Sequence, residues 1–231
     1  MGLPTIVLVH GFWGDAAHWA GVIAELAAKG YKQQAVELPL TSLADDAERT
    51  RKMVKQIQGD VVLVGHSYGG AVITEAGNLP NVVGLVYIAA FAPDVGESPG
   101  SISGQYPAVA AVENRLSPDS DGYLWLNADT FHETFCQDAS KEQGLVMAVT
   151  QKAPLASTFG DNITNAAWKA KPSWYQLSTE DRCINPEAQK FMSSRIAPKK
   201  IIERNSGHAS LASKPKPVAD LIDEAAQSVT K

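Results

Sequence analysis

The sequence has little cysteine, no excess of basic charge and no long apolar run. Its 231 residues include two cysteines, Cys136 and Cys183, which form neither a disulfide framework nor a Cys-x-x-Cys spacing. The formal net charge of -5 argues against nucleic acid or an anionic membrane surface as a partner. The first residues show no basic leader, and the longest nearly apolar run, residues 82–92, is too short to cross a bilayer. We therefore expect a soluble, cytoplasmic protein with no nucleic-acid or membrane partner.

The rest of the composition is that of a globular enzyme-sized domain. Hydrophobic residues make up 45% of the chain and charged residues 19%, which is ordinary for a soluble protein with a sizeable core. Apolar strand-like runs alternate with helical patterns, and this predicts a parallel sheet with crossover helices. The predicted strands cover residues 5–10, 33–38, 60–64, 82–90, 173–179 and 199–205. Helices are predicted after Asp15, Ser42 and Ser67, and from Pro186 and about Pro217.

Residues 94–171 interrupt this alternation. Prolines recur through the segment, and "SPDSDGYLWL" predicts a hairpin flanked by short helical pieces. Long irregular insertions between core strands usually form lids or binding regions. We therefore predict a core made of residues 1–93 and 172–231, with a lid or cap of residues 94–171 inserted into it.

The motif "GHSYG", residues 65–69, follows the third predicted strand and precedes a helix. Gly-x-Ser-x-Gly alone is a weak signal, but a serine on a strand-to-helix turn is the arrangement of a nucleophile elbow. The strand delivers Ser67 to the carboxyl edge of the sheet, where open α/β folds bind ligands. The N-terminus of the next helix supplies free N–H groups and a partial positive charge where an oxyanion would form. Ser67 is therefore the predicted nucleophile.

A serine nucleophile needs a base and an acid, and two loops late in the chain supply them. His208, in "ERNSGHASL", is the histidine that follows a late strand in a loop, and Asp181 directly follows the preceding strand. The chain order Ser67, Asp181, His208 differs from the orders His, Asp, Ser and Asp, His, Ser that other serine hydrolases use. Asp94, after the strand of residues 82–90, stays an alternative acid or a turn residue. Structural roles are predicted for His10 and His66, and surface or packing roles for His18 and His132.

Four motifs together carry a family resemblance: "VLVHGFWGDAAHW", "LVGHSYGG", "TEDRCINPEAQ" and "SGHASL". Nearly the whole chain resembles the α/β-hydrolase superfamily, and within it the small esterase branch of plant methylesterases, hydroxynitrile lyases and bacterial carboxylesterases. The resemblance implies an α/β-hydrolase fold with a six-stranded, mostly parallel sheet, flanking helices and an inserted lid. It also implies an oxyanion hole built from the backbone N–H groups of Phe12 and Tyr68.

The predicted function is hydrolysis of a small-molecule ester through an acyl-enzyme, with no cofactor and no metal. Residues 95–170 carry nine acids and four bases, so we expect no cationic cluster for a phosphate or a free carboxylate. The aromatic residues of this segment predict an apolar pocket. We therefore expect neutral, short-chain or aromatic esters as substrates. The candidate pocket residues are Trp13, Tyr123, Trp125 and Phe131.

Other activities of this fold remain as alternatives. Hydroxynitrile lyases of the resembling branch carry threonine at the position of Gly11 and lysine directly after the histidine, where this chain has Ala209; both departures argue against a lyase. An intact triad gives no reason to favour a ligand receptor. Carbon–carbon bond hydrolysis or cofactor-free oxygenation uses similar residues, so the sequence leaves these open. It makes no prediction about the oligomeric state.

Overall fold

A parallel sheet forms the centre of the protein, which a computed structural model describes for residues 2–196 and 198–230. In this part of the chain the sheet has six strands, in the spatial order β2-β1-β3-β4-β5-β6, and every neighbouring pair is parallel. The strands are β1 (Thr5–Val9), β2 (Gln33–Val36), β3 (Val61–His66), β4 (Val82–Ile88), β5 (Ser173–Ser178) and β6 (Lys200–Arg204). The predicted six-stranded sheet is thus confirmed, and it is parallel throughout.

Helices cover both faces of the sheet, as a parallel sheet requires. The first and last helices pack against each other on the sheet, as do the second and third, and right-handed crossovers are expected to place these two pairs on opposite faces. The α-helices are α1 (Ala20–Ala28), α2 (Leu43–Lys55), α3 (Gly69–Ala76), α4 (Pro99–Ser103), α5 (Ala110–Glu113), α6 (Phe131–Phe135), α7 (Lys141–Thr150), α8 (Pro186–Arg195), α9 (Ser210–Ser213) and α10 (Pro215–Val229). Short 3-10 helices span Ala16–Trp19, Ala128–Thr130, Ala156–Gly160 and Ala167–Lys169.

The helix ends follow the capping residues that the sequence shows. The Ser42 side chain accepts a hydrogen bond from the Asp45 amide at 3.0 Å and starts α2. Asn185 caps α8, and Pro186 occupies the first position of this helix. Asp15 caps a 3-10 turn that leads into α1, rather than α1 itself. α10 begins two residues earlier than the sequence indicates, at Pro215.

Residues 94–171 lie between β4 and β5 and contain α4 to α7. The predicted hairpin is present as an irregular antiparallel ladder in which Arg115 pairs with Leu126, and the Leu116 amide donates to the Trp125 carbonyl at 2.8 Å. The Trp168 indole N–H donates to the Pro93 carbonyl at 2.9 Å, which fastens the end of the insertion to the core. Within the residues described, every helix is too short or too polar to traverse a lipid bilayer.

Candidate active site

Ser67 stands on a sharp turn between β3 and α3. Its φ of 55° lies in the left-handed region, which a non-glycine residue adopts at an energetic cost and which is concentrated at functional sites. The flanking glycines permit the turn because a Cβ at Gly65 would lie 2.5 Å from the Gly69 carbonyl oxygen, and a Cβ at Gly69 would lie 2.3 Å from the Val9 carbonyl oxygen. The turn therefore presents Ser67 at the carboxyl end of β3, as the elbow motif predicts.

His208 follows β6 and is fully buried beside this turn. Its Nδ1 lies 2.8 Å from Oδ2 of Asp181, and its ring packs 4.7 Å from that of His66 and 5.1 Å from that of Phe135. The His66 Nε2 lies 2.9 Å from the His208 carbonyl oxygen, so it donates there and steadies the loop. Because the Asp181 carboxylate accepts from Nδ1–H, Nε2 carries the lone pair and can act as a base.

Nε2 of His208 is buried and has no hydrogen-bond partner among the described residues. An orphaned polar atom of this kind is uncommon in a folded protein and calls for an explanation. Ser67 is itself almost buried and lines the adjoining cavity. Catalytic hydrogen bonds are often long in ligand-free sites and tighten when substrate binds. Nε2 of His208 is therefore free to accept the proton of the Ser67 hydroxyl.

Asp181 follows β5 and accepts four hydrogen bonds, which hold its carboxylate in one orientation. Oδ1 accepts from the Cys183 and Ile184 amides at 2.7 and 2.9 Å. Oδ2 accepts from the Gln189 side chain at 2.7 Å and from His208. The structure thus brings together the acid and the base that the sequence predicts.

Gln189 is a site residue that the sequence analysis missed. It lies fully buried on α8, and its Oε1 accepts from the Ser178 amide at 3.1 Å while its Nε2 donates to Asp181. This side chain ties the end of β5 to the carboxylate. A signal was available, because Gln189 is a polar residue on the buried face of a helix, three residues after Pro186.

Asp94, the alternative acid, lies elsewhere. Its carboxylate is 2.5 Å from Nζ of Lys169 and accepts from the Val95 amide at 2.6 Å. These partners are on the insertion side of β4, and Asp94 makes no contact with His208 in the described structure. Its geometry is that of a turn residue with an ion pair.

Two backbone amides near Ser67 lack an acceptor in the described structure. The N–H groups of Phe12 and Tyr68 donate to no acceptor within the described residues, and both residues adjoin the Ser67 turn. Gly11 allows this approach, since a Cβ there would lie 2.6 Å from Cβ of Ser67 and 3.1 Å from its Oγ. The rings of Phe12 and Tyr68 stack at 3.9 Å, which holds the two segments together. This pair of free donors is suited to an oxyanion.

The other histidines support the site or pack elsewhere. His10 Nδ1 lies 2.9 Å from the Gly11 carbonyl oxygen, and its Nε2 accepts from the Leu38 amide at 3.0 Å, so the ring shapes the loop before Phe12. Burial lowers the pKa of His10. His18 is buried rather than on the surface, and burial lowers its pKa to about 4. His132 Nε2 lies 3.0 Å from the Ala139 carbonyl oxygen within the insertion.

Two residues of the insertion form hydrogen bonds with the loops that carry His208 and Asp181. Oδ2 of Asp138 accepts from the Gly207 amide at 2.9 Å and from the Ser213 hydroxyl at 2.8 Å. Gln137 donates to the Glu180 carbonyl at 2.7 Å, next to Asp181. Residues 137–138 therefore connect the acid loop and the base loop to the insertion.

A cavity of about 370 Å³ opens at Ser67. Its walls come from the loop after β1 and from the insertion, and they include Phe12, Trp13, Tyr106 and Phe159. The Trp13 indole N–H donates to the Leu124 carbonyl at 2.8 Å, so its ring is fixed in place. This volume and lining are typical of a site for a small ligand with apolar parts.

Three of the predicted pocket residues lie outside this cavity. Trp125 is 37% exposed, and its indole N–H donates to Asp119 at 2.9 Å on the outside of the hairpin. Tyr123 pairs with Leu155 along an antiparallel bridge. Phe131 is fully buried and packs on Phe135, 5.0 Å between ring centres. The pocket prediction is therefore wrong for Tyr123, Trp125 and Phe131, since none of them borders the cavity. Trp125 is exposed to solvent and Phe131 is packed in the core.

One group of side chains has the spacing of a metal site. Possible ligand atoms of Asp181, Cys183 and His208 lie within 4.8 Å of one another. The carboxylate already accepts four hydrogen bonds, and burial raises the pKa of the Cys183 thiol well above its usual range. A metal needs the thiolate, so these residues are better suited to the acid–base pair than to an ion.

Residues 6–221 match the family model described as the alpha/beta hydrolase family. The chain belongs to this family. It is 25% identical to Methylesterase 8 of Arabidopsis thaliana over 93% of this chain and 86% of that protein. It is 25% identical to Methylesterase 1 of the same plant, over 93% and 92%.

Solved structures of similar fold cover nearly the whole of this α/β hydrolase. Polyneuridine aldehyde esterase superposes with a TM-score of 0.83 at 20% identity, over 96% of this chain and 99% of that one. A pyrethroid hydrolase from Sphingobium faniae superposes with a TM-score of 0.82 at 21% identity, over 98% of both chains. At these identities the likeness concerns the fold. Together with the relatives' names, it supports a carboxylic ester hydrolase.

Proposed function

We propose that this α/β hydrolase cleaves small carboxylic esters through an acyl-enzyme formed on Ser67. The observation that carries the proposal is the left-handed φ of Ser67, 55°, in the wall of a cavity near the buried His208–Asp181 pair. Relatives named methylesterases support ester hydrolysis as the reaction class.

The first step forms the acyl-enzyme. Nε2 of His208 takes the proton of the Ser67 hydroxyl as Oγ attacks the ester carbonyl carbon, and Asp181 stabilises the imidazolium that results. The carbonyl oxygen becomes an oxyanion between the amides of Phe12 and Tyr68. Each such donor typically stabilises the transition state by about 3 kcal/mol. The tetrahedral intermediate then expels the alcohol, which receives its proton from His208.

The second step frees the enzyme. A water molecule enters beside His208, which removes its proton as the oxygen attacks the acyl carbonyl carbon. The same two amides hold the second oxyanion, and His208 returns the proton to Oγ of Ser67 as the acid leaves. Every proton passes through one nitrogen, Nε2, and the contacts of Asp181 hold the His208 ring in one orientation.

The cavity favours short or aromatic substituents. Its volume of about 370 Å³ and its aromatic walls from Phe12, Trp13 and Phe159 are suited to a small ester with an apolar part. We assign residues 94–171 the role of a lid, because the insertion supplies Tyr106 and Phe159 to these walls.

Cyanohydrin cleavage fits this site poorly. A threonine at Gly11 would bring its Cβ within 2.6 Å of Ser67, and Ala209 offers no positive charge for a departing cyanide ion. Mandelonitrile should therefore release no cyanide at a rate comparable to ester hydrolysis.

The experiment is a series of p-nitrophenyl esters of increasing acyl length, assayed with the wild type and Ser67→Ala. We expect kcat/KM to be highest for short acyl chains and kcat to fall by at least about 10³-fold in Ser67→Ala, with an unchanged circular-dichroism spectrum. Full activity in Ser67→Ala would refute the mechanism, and a preference for long acyl chains would refute the substrate class.

A further inference from the structure

The wall of the cavity has a charge that the composition of the insertion does not predict. Residues 95–170 contain nine acids and four bases, and this composition predicts neutral substrates. None of those acids lines the cavity of the described structure, whereas one of the bases, Arg115, does. Arg115 is the single charged side chain among the lining residues of the described chain. The local charge at the site is thus opposite in sign to that of the segment.

The backbone of Arg115 is fixed in the hairpin, whereas its side chain forms no ion pair within the described residues. It pairs with Leu126 through the antiparallel bridge of the hairpin, which fixes where the side chain starts. No carboxylate of the described residues lies within 4.0 Å of its guanidinium. Asp119, on the same hairpin, instead accepts from the Trp125 indole and the Tyr123 amide, each at 2.9 Å.

The position of Arg115 is at the edge of the cavity. The residue is exposed and also borders a neighbouring groove next to Leu116 and Pro118. Between this edge and the nucleophile, the walls are apolar or uncharged, with Phe12, Val112 and Phe159 among them. A ligand that fills the cavity therefore contacts walls that include both Ser67 and Arg115.

We propose that Arg115 selects esters that carry a second, ionised carboxylate at the end remote from the scissile carbonyl. This inference rests on the proposed function and names the substrate class of the same site. A guanidinium binds a carboxylate through two parallel N–H···O bonds, and the apolar part of the ester lies along the aromatic walls. Because Arg115 is exposed to solvent, its effect on selection is modest and sensitive to salt.

The test compares two p-nitrophenyl esters of similar length, the glutarate half-ester, which is ionised at pH 7.5, and the neutral valerate. We expect Arg115→Gln to lower the ratio of their kcat/KM values by about two- to fivefold, and Arg115→Glu to lower it further. Arg115→Lys should keep part of the preference. In the wild type, 0.5 M NaCl should reduce the ratio.

Arg49→Gln is the matched control. Arg49 is exposed on α2, outside the cavity, so this variant removes the same charge elsewhere. An equal change of the ratio in Arg49→Gln would overturn the proposal in favour of overall charge. An unchanged ratio in Arg115→Gln and Arg115→Glu would overturn the Arg115 assignment alone. If the wild type hydrolysed neither ester, the proposed function itself would fail, and this inference with it.

Discussion

The substitution Asp181→Asn removes a charge from the acid loop and reverses one hydrogen bond. Oδ1 of Asp181 accepts from two backbone amides, those of Cys183 and Ile184, so the oxygen of the new amide must take that place. Its NH₂ group then faces the two donors at Oδ2, which are Nε2 of Gln189 and Nδ1 of His208. His208 can meet an NH₂ group only by shifting its proton to Nε2.

After that shift, Nε2 of His208 carries a proton and has no lone pair with which to accept the proton of Ser67. The wrong tautomer and the lost charge partner together lower kcat by on the order of 10³ to 10⁴ in triads of this kind, which corresponds to about 4 to 5.5 kcal/mol in the barrier. The side chain keeps its shape and its two amide contacts, so we expect the fold to survive. KM should change little, because Asp181 does not line the cavity.

The assay is the pre-steady-state and steady-state hydrolysis of p-nitrophenyl acetate, with Tm measured on the same preparations. Asp94→Asn is the matched control, because Asp94 also follows a strand but pairs with Lys169; we expect it to change kcat by less than about tenfold. If Asp181→Asn kept near wild-type kcat, or if Asp94→Asn were the more damaging change, the assignment of the acid would be refuted.

Three other predictions concern the surroundings of the site. Gly11→Ala should lower kcat/KM at least tenfold, since its Cβ would lie 2.6 Å from the nucleophile's side chain, whereas Gly160→Ala, with nothing within 4 Å, should not; equal effects would contradict this. The pKa of His18 is lowered to about 4, so the unfolded chain takes up its proton first as the pH falls and stability declines between about pH 6.5 and 4. Between pH 7.5 and 5 this amounts to about 2 kcal/mol of unfolding free energy, and urea titrations of His18→Leu should lack that loss; the same loss in the variant would refute it. Asp138→Asn should lower kcat several-fold at constant KM, while Asp129→Asn should leave both unchanged; a reversed pattern would show that residue 138 does not position the base loop.

The sequence predicts the centre of this protein well because its signals are local and physical. The ends of β3, β5 and β6 are marked by apolar runs that stop at polar residues, and parallel strands bring those ends to one edge of the sheet. Ser67, Asp181 and His208 each occupy such an end. The bends at Gly65 and Gly69 also have a local cause, because the turn leaves no room for side chains.

The cavity wall is harder to predict, because the insertion has no regular periodicity to indicate which side of the chain faces inward. Trp125 and Tyr123 lie on a short irregular hairpin, where one change in pairing exchanges the inner and outer faces. Counting charges over the segment also conceals that Arg115 borders the cavity. Gln189 was missed because its role depends on contacts with two other elements, at Ser178 and Asp181.

Covalent trapping tests most directly whether Ser67 is the nucleophile. The native protein is incubated with a fluorophosphonate, digested, and mapped by mass spectrometry, with Ser67→Ala treated in parallel. We expect one phosphonyl adduct per chain, on Ser67, together with complete loss of esterase activity, and no adduct in Ser67→Ala. An adduct on another residue, or an esterase activity that survives full modification of Ser67, would contradict this expectation.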